Sequence, residues 1–202
     1  MKHNLINLLL TSFLLTFFVN CAFTEGTIKT NYNIPLLKEK SPQKMMLVFA
    51  KSDDSPETFR DGIYREGIKK NGYGMETANM FTDPKGPVIL KKILTLELQN
   101  AGIEIINKAD SSDIPELKVE VLKLFMEPEV GFFAGDIVTV TDANIYLKIK
   151  GKTYKRRFTG IGEETTIMGT DYFFENSLQK SLEAFTRKTV PEVIKLLNEK
   201  NR

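Results

Sequence analysis

Two stretches of the chain carry apolar residues at helical spacing. The first begins at Gly86-Pro87 and ends at Gly102, which matches the preference for proline in the first turn and glycine just past the last. The second begins at Thr170 or Asp171, and either residue can cap a helix. The apolar stripes predict the buried faces of two main helices. These stripes are Leu90, Ile93, Leu94, Leu98 and Ala101, and then Phe174, Leu178, Leu182 and Phe185.

A proline follows the second stripe. Pro191 has no backbone N–H to donate and its ring crowds the preceding turn, so it normally breaks a helix. The sequence therefore predicts that the second helix ends near residue 187 and that a short last helix spans residues 192–200.

Three further stretches alternate apolar and polar residues, which is typical of strands. They span residues 116–126, 137–149 and 153–161. In the first, the apolar parity shifts from Val121 to Leu122, which predicts a bulge or a strand end buried on both faces. Because short turns join the three, we expect an antiparallel meander.

Shorter apolar runs at residues 45–50 and 103–106 predict two more strands. Residues 51–86 are rich in glycine and proline and predict a long excursion with one short strand near residues 75–80. The order of these elements predicts an α+β fold, in which two main helices pack on one face of an antiparallel sheet.

The N-terminus has the pattern of a processing signal. A short basic start precedes an apolar run over residues 5–19, which is shorter than the roughly 20 residues that a membrane span needs. This pattern is typical of a secretory signal. The run ends at Phe18-Val19-Asn20-Cys21, which resembles a lipobox, the motif at which bacterial lipoproteins are cut and acylated on cysteine. Phe18 and Asn20 depart from the usual leucine and small residue, as in the relaxed boxes of spirochaetes.

Lipidation at Cys21 predicts a protein held at the outer membrane by its acyl chains, since two chains give stable anchoring. Residues 1–20 are then the signal peptide, residues 21–44 a lipidated N-terminus and tether, and residues 45–202 a single domain. Two alternatives stay open, a cleaved signal with an incidental cysteine and an uncleaved anchor helix.

Composition narrows the chemistry. The chain has one cysteine, Cys21, and one histidine, His3, which lies in the predicted signal. Histidine-dependent triads, thiolate or imidazole zinc sites and disulfides are thereby excluded from the mature chain. The net charge of +2 gives no electrostatic case for nucleic acid. We expect no enzyme activity, catalytic residue, metal or cofactor.

Carboxylates alone could still catalyse glycoside hydrolysis, which needs a pair about 5–9.5 Å apart. The candidate pairs are Asp53 with Asp54, Glu127 with Glu129, and Glu163 with Glu164. None follows an apolar pattern that would bury it, so the pairs are interpreted as solvated surface acids.

The order of these segments resembles the YajG-like outer-membrane lipoproteins of diderm bacteria. The resemblance is carried by the lipobox, Met45-Met46-Leu47-Val48-Phe49, the turn-rich residues 68–74, the helix end at residues 96–105, the meander and the helix at residues 176–185. It implies an envelope location and this fold, as in lipoproteins that serve as accessory subunits of envelope transport or assembly. It implies no defined activity and transfers no catalytic residue.

A basic hairpin is the first candidate binding site. Residues 148–157 contain six cations and no acid: Lys148, Lys150, Lys152, Lys155, Arg156 and Arg157. Such a patch attracts anionic partners, although lysines also protect exposed strand edges from pairing. Strand alternation predicts that Lys155 and Arg157 share a face and that Arg156 points to the other.

Phe132 and Phe133, between Gly131 and Gly135, are the second candidate. Two aromatic residues on a loop could contact a membrane or a partner protein, whereas a ring folded under the sheet would be structural.

Three functions remain possible from the sequence. The leading hypothesis is a non-enzymatic envelope lipoprotein, bound to the membrane through its anchor and to an envelope protein or an anionic polysaccharide. The second is a surface-exposed lipoprotein that binds host macromolecules through the basic hairpin. The third is a carboxylate-dependent hydrolase of cell-wall glycan.

Overall fold

A computed structural model describes residues 24–30, 32, 36–50, 58–106, 113–131, 134–166 and 170–200. These residues form ten strands and two helices. The strands are β1 (Gly26–Ile28), β2 (Gln43–Phe49), β3 (Phe59–Arg60), β4 (Ile63–Tyr64), β5 (Gly67–Lys70), β6 (Glu76–Thr82), β7 (Ile103–Ile106), β8 (Glu116–Val130), β9 (Gly135–Ile149) and β10 (Lys152–Thr166). The helices are α1 (Gly86–Asn100) and α2 (Asp171–Lys200).

Eight of the strands form one curled sheet, and β3 and β4 form a separate hairpin. The long strand β8 is its centre. One edge of β8 pairs with β9, and β9 pairs with β10. The other edge pairs with β2 near the start of β8 and with β5 near its end. Beyond β2 lies β7, and beyond β5 lie β6 and then β1.

The α+β class is confirmed, but the prediction of an antiparallel sheet is wrong because the sheet is mixed. Strand β2 runs parallel to both β7 and β8, and β1 runs parallel to β6. Parallel neighbours need long connections, and the excursion with α1 supplies one between β2 and β7. The continuous apolar run of β2 was a signal for this arrangement, since parallel strands are usually buried on both faces.

The meander is confirmed. Strands β8, β9 and β10 pair antiparallel over nearly their full lengths. The parity shift also marks a real irregularity, since Val121 pairs with Ala143 and Lys123 pairs with Asp142. Leu122 is therefore the extra residue of a bulge, and the apolar side chains on both sides of it still face the core.

Both predicted helical stripes are buried in one hydrophobic cluster with the inner side chains of the sheet. Helix α1 has Pro87 in its first turn, and Gly102 beyond its end has φ +84°, as the sequence predicts. The prediction that the second helix ends before Pro191 is wrong, because α2 continues through this proline to Lys200. Interior proline costs about 3 kcal/mol, but Val193 and Leu197 beyond it are buried and each contributes roughly 1.5–3 kcal/mol.

Helix α2 lies directly on β10 at two glycines. A Cβ atom at Gly160 or Gly162 would overlap the backbone of α2. The close approach allows Ser177 Oγ to donate to the carbonyl of Gly162 at 2.9 Å and Ser181 Oγ to that of Gly160 at 3.1 Å. Two glycines opposite two serines thus fix the helix on the sheet.

The excursion contains more structure than the single predicted strand, because β3, β4 and β5 precede β6. The start of α1 has no side-chain cap from its own N-cap residue, Lys85. Glu66, a buried residue of the excursion, caps this end of the helix instead. The backbone N–H groups of Gly86 and Thr82 donate to its two oxygens at 3.0 and 3.1 Å. Burial raises the pKa of Glu66, while these hydrogen bonds oppose the rise.

The segment predicted as a tether is packed against the domain over its described residues. Strand β1 pairs with β6, and Tyr32 is buried in the core. Glu97 of α1, itself fully buried, accepts hydrogen bonds from Tyr32 Oη and Leu36 N, both at 2.6 Å, and from Leu37 N at 3.2 Å. The folded unit therefore begins before residue 45.

The long strands give the sheet two distinct ends. The hairpin end holds the β9–β10 turn and the start of β8. At the other end, which we call the entry end, lie the β5–β6 turn, the end of β8 and the start of α2. Helix α2 is tied there by the 2.9 Å ion pair of Lys69 with Asp171. The chain enters β1 from this side, because β1 runs parallel to β6 away from it.

Candidate functional site

The basic hairpin is a tight two-residue turn between long strands. Ile149 pairs with Lys152, so the turn consists of Lys150 and Gly151, with φ of 48° and 77°. Positive φ at both positions suits the right-handed twist of the flanking strands. The turn therefore places cations at the extreme hairpin end of the sheet.

The six cations do not share one face. Lys155 and Arg157 lie on the outer face, which is the face of the sheet turned away from the core, and the register adds Lys148 to them. Arg156 lies on the opposite side and approaches Glu192 of α2 at 3.8 Å. The predicted alternation is confirmed. Lys150 and Lys152 are exposed at the turn itself.

Arg157 forms an ion pair with Asp142, an acidic residue of β9. Its Nη2 lies 2.5 Å from Asp142 Oδ2, and its Nε donates to both carboxylate oxygens at 3.1 Å. Thr159 Oγ1 also donates to Asp142 at 3.1 Å. This hydrogen-bonded pairing raises the pKa of Arg157. Arg157 therefore links β10 to β9, and its charge is largely neutralised by Asp142.

Sequence reasoning missed two residues beside the hairpin, Lys118 and Tyr146. Lys155 Nζ lies 5.2 Å from the ring centroid of Tyr146, and Lys118 Nζ lies 5.6 Å from it. We call Lys118, Tyr146 and Lys155 the lysine–tyrosine cluster. The cross-strand register that brings β8, β9 and β10 side by side creates it. These three residues are far apart in the sequence, and only the register of the paired strands shows that they are neighbours.

Glu120 orients the tyrosine of this cluster. Tyr146 Oη donates to Glu120 Oε2 at 2.8 Å, and Asn144 Nδ2 donates to the same oxygen at 3.0 Å. The hydrogen bonds from Asn144 and Tyr146 lower the pKa of Glu120, and the lysines of the cluster add to this effect. The outer face near the hairpin is therefore an ordered network that ends in exposed lysines.

Two of the candidate acid pairs each have one carboxylate held by a lysine within the described residues. Asp53 and Asp54 lie outside them. Glu127 forms a 2.5 Å ion pair with Lys70, and Glu164 forms one of the same length with Lys180.

Glu129 is exposed and lies on the same face of β8 as Glu127, whereas strand alternation turns Glu163 away from Glu164. Across the described ranges, no three His, Cys, Asp or Glu side chains are placed to hold a metal ion.

The other two candidates, Cys21 and the pair Phe132 and Phe133, lie outside the described residues. The strands that flank the two phenylalanines meet at the entry end, where Val130 pairs with Gly135. Neither described helix is long and apolar enough to cross a membrane.

A protein family described as uncharacterized lipoprotein matches residues 64–195. This range runs from the β3–β4 hairpin to the last turns of α2. The chain belongs to this lipoprotein family. The match confirms the resemblance to YajG-like lipoproteins, and membership indicates a membrane-anchored protein of the cell envelope.

No curated protein matches the lipoprotein. Among solved structures, an uncharacterized protein has a TM-score of 0.49 at 13% identity, covering 86% of this chain and 99% of its own. Protein XCC0632 from Xanthomonas campestris has a TM-score of 0.47 at 16% identity, covering 87% and 95%. Hypothetical protein CT253 from Chlamydia trachomatis has a TM-score of 0.42 at 9% identity, covering 77% and 97%. These likenesses are too distant to bear on function.

Proposed function

We propose that the lipoprotein is anchored to the outer membrane through acylated Cys21 and acts by binding, without catalysis, as an accessory protein of the envelope. Membership of a lipoprotein family supports the anchor, as does the apolar run that ends at the sole cysteine of the chain. Two or more acyl chains make such an anchor stable, since each buried methylene contributes about 0.8 kcal/mol.

The binding surface of the proposal is the hairpin end. The observation that carries it is the exposed set of lysines around the β9–β10 turn, with the lysine–tyrosine cluster continuing it along the outer face. Within the described residues, Lys148 and Lys152 form no ion pair with an acid. Their charges remain available to a partner, unlike that of Arg157.

An anionic polysaccharide is the partner that fits this surface. Lys152, beside the turn, and Lys155 lie three residues apart along β10, or roughly 10 Å at strand spacing. Cations spread over that length match a linear polymer with repeated carboxylates or sulfates better than a single small anion. Exposed charges act over about 8 Å at physiological ionic strength, so neighbouring lysines reinforce one another.

The test compares two double variants of equal charge. Lys148→Gln with Lys155→Gln removes two outer-face cations of the hairpin, and Lys91→Gln with Lys92→Gln removes two exposed cations of α1. Binding to heparin, used as a sulfated polysaccharide probe, is measured by calorimetry at low and physiological salt. The hairpin variant should lose about tenfold in affinity at low salt, because two lost contacts of about 0.7 kcal/mol sum to roughly 1.4 kcal/mol. The control should bind nearly as wild type does.

Equal losses in both variants, or binding that salt leaves unchanged, would contradict the site. Arg156→Gln provides a further check, since Arg156 faces α2 and should contribute less than Lys155.

A further inference from the structure

The entry end carries a cluster of exposed apolar side chains. Tyr73 is 91% exposed and Met75 is 59% exposed in the β5–β6 turn, with Val130 at the end of β8 and Tyr172 in the first turn of α2. We call these four residues the apolar rim. They come from three separate segments that the sheet brings to one end. Exposed apolar groups concentrated in one place usually mark a contact surface.

The β5–β6 turn is built to hold Tyr73 outward. The side-chain oxygen of Asn71 accepts hydrogen bonds from the backbone N–H of Tyr73 at 3.0 Å and of Met75 at 3.1 Å. The backbone of Asn71 also bonds to Met75 and Gly74, at 3.0 and 2.9 Å. Since Gly74 has φ +80°, it supplies the left-handed position that the turn needs. The exposure of Tyr73 is therefore fixed by the turn.

The turn itself is uncharged, because residues 71–75 read Asn-Gly-Tyr-Gly-Met. The nearest cations are already paired with acids. Lys70 lies 2.5 Å from Glu127, and Lys69 lies 2.9 Å from Asp171. A partner at this end meets apolar and aromatic groups with neutralised charges behind them. Tyrosine suits the interface of a bilayer, because its ring is apolar and its hydroxyl can remain in water.

The anchor enters at the same end. Gly26 is in register with Met80, and Glu25 accepts a hydrogen bond from Asn79 at 3.1 Å. Thr24 is then level with Ala78, three residues from Met75. Cys21 lies three residues before Thr24, a separation of at most about 11 Å. An acylated Cys21 therefore enters its membrane close to the level of the apolar rim.

From this geometry we infer that the apolar rim rests on the bilayer that carries the anchor. The inference builds on the proposed lipid anchor and adds an orientation to it. The sheet then stands on the membrane by its entry end. The 15-residue strands β9 and β10 carry the basic hairpin away from the surface, over roughly 45 Å if they were straight.

The experiment uses the full lipidated chain in vesicles of phosphatidylcholine, a lipid without net charge. Because acylation consumes the sole thiol, an introduced cysteine can be labelled alone with a bimane fluorophore. The variants are Tyr73→Cys at the rim, Lys152→Cys at the hairpin end and Val88→Cys at an exposed apolar position of α1. A nitroxide-bearing lipid quenches labels that touch the bilayer.

The label at position 73 should be quenched severalfold more than the labels at positions 152 and 88. The contrast should persist at 1 M salt, where charges are screened beyond about 3 Å. Equal quenching at all three positions, with the protein bound to vesicles, would overturn the orientation and leave the anchor intact. Failure of all variants to sediment with vesicles would overturn the anchor and the orientation together. A concentration-dependent blue shift at position 73 without vesicles would assign the rim to a second copy of the chain instead.

Discussion

Three long strands, β8, β9 and β10, run between the entry end and the hairpin end of this sheet, and the two ends carry opposite surface chemistry. At the entry end, the cations beside the β5–β6 turn are paired with acids and the exposed groups are apolar. At the hairpin end, exposed lysines surround the turn, and Arg156 and Arg157 are paired with acids. The fold places an apolar surface and a charged one at opposite ends of its longest strands.

The difference shows that composition is a poor guide to the surface of this lipoprotein. A net charge of +2 describes a nearly neutral chain. The lysines nevertheless differ between the two ends, since those beside the β5–β6 turn are paired with acids and those of the hairpin are exposed. Whether a lysine is available depends on what the neighbouring strand places opposite it, and that is decided by register. The two ends can act separately only if the body between them is rigid.

The largest effect is expected from breaking that body at the contact of α2 with β10. Gly162→Ala places a methyl group against the backbone of Ser177 and Ser181, and a rigid backbone cannot yield as a side chain would. Overpacking of this kind costs about 3 kcal/mol. Urea unfolding should show a clearly lower midpoint.

Gly72→Ala is the matched control, since nothing lies within 4 Å of an added Cβ there. Its midpoint should stay close to that of wild type. Equal midpoints for Gly162→Ala and wild type would mean that the helix does not sit on the glycines.

A smaller effect is expected from releasing the N-terminal residues that Glu97 of α1 holds. Glu97→Ala removes the acceptor of three hydrogen bonds and leaves Tyr32 Oη buried without that partner. An unsatisfied buried donor costs about 1–3 kcal/mol. Hydrogen exchange at the Leu36 and Leu37 amides should accelerate more than exchange in β9.

The control for this variant is Glu104→Ala, which removes an exposed carboxylate paired with Lys44 at 3.6 Å. Surface pairs of this kind contribute about 0–1 kcal/mol. If exchange at Leu36 were the same in both variants, the segment would not be held by Glu97.

The smallest effect concerns acid sensitivity on the outer face near the hairpin. Because the pKa of Glu120 is lowered from 4.5 by hydrogen bonds from Asn144 and Tyr146, its carboxylate stabilises the fold above pH 4.5, and this contribution is lost as pH falls through the lowered value. Wild type should therefore melt slightly above Glu120→Gln at neutral pH, and the difference should shrink below pH 4.5. A difference that stays constant down to about pH 3 would contradict the network.

The sequence predicts most of the elements whose signals are local. The stripes of α1 and α2, the glycine after α1, the meander and the bulge at Leu122 all follow from periodicity over a few residues. Each depends on side chains that meet within one element or across one short turn. Such contacts leave a repeated pattern in the chain.

What the sequence misses depends on contacts between distant segments. The parallel pairing of β2, the continuation of α2 through Pro191 and the packing of the described residues before β2 depend on burial against elements far along the chain. At the candidate site, the sequence places the cations of the hairpin but not their partners. Asp142 and Glu192 occupy two of them, and Tyr146 becomes a neighbour of Lys155 only through the register of β9 with β10.

The proposal that the entry end faces the membrane and the hairpin end faces a partner depends on the anchor at Cys21. The most direct measurement is the intact mass of the protein extracted with detergent from its native membrane, with fragmentation of its N-terminal peptide. The account predicts a chain that lacks residues 1–20 and begins at Cys21, with the mass of the acyl chains on that residue. Cys21→Ala, as the control, should yield no acylated species. A mature chain that begins elsewhere, or that carries Cys21 as a free thiol, would contradict the account.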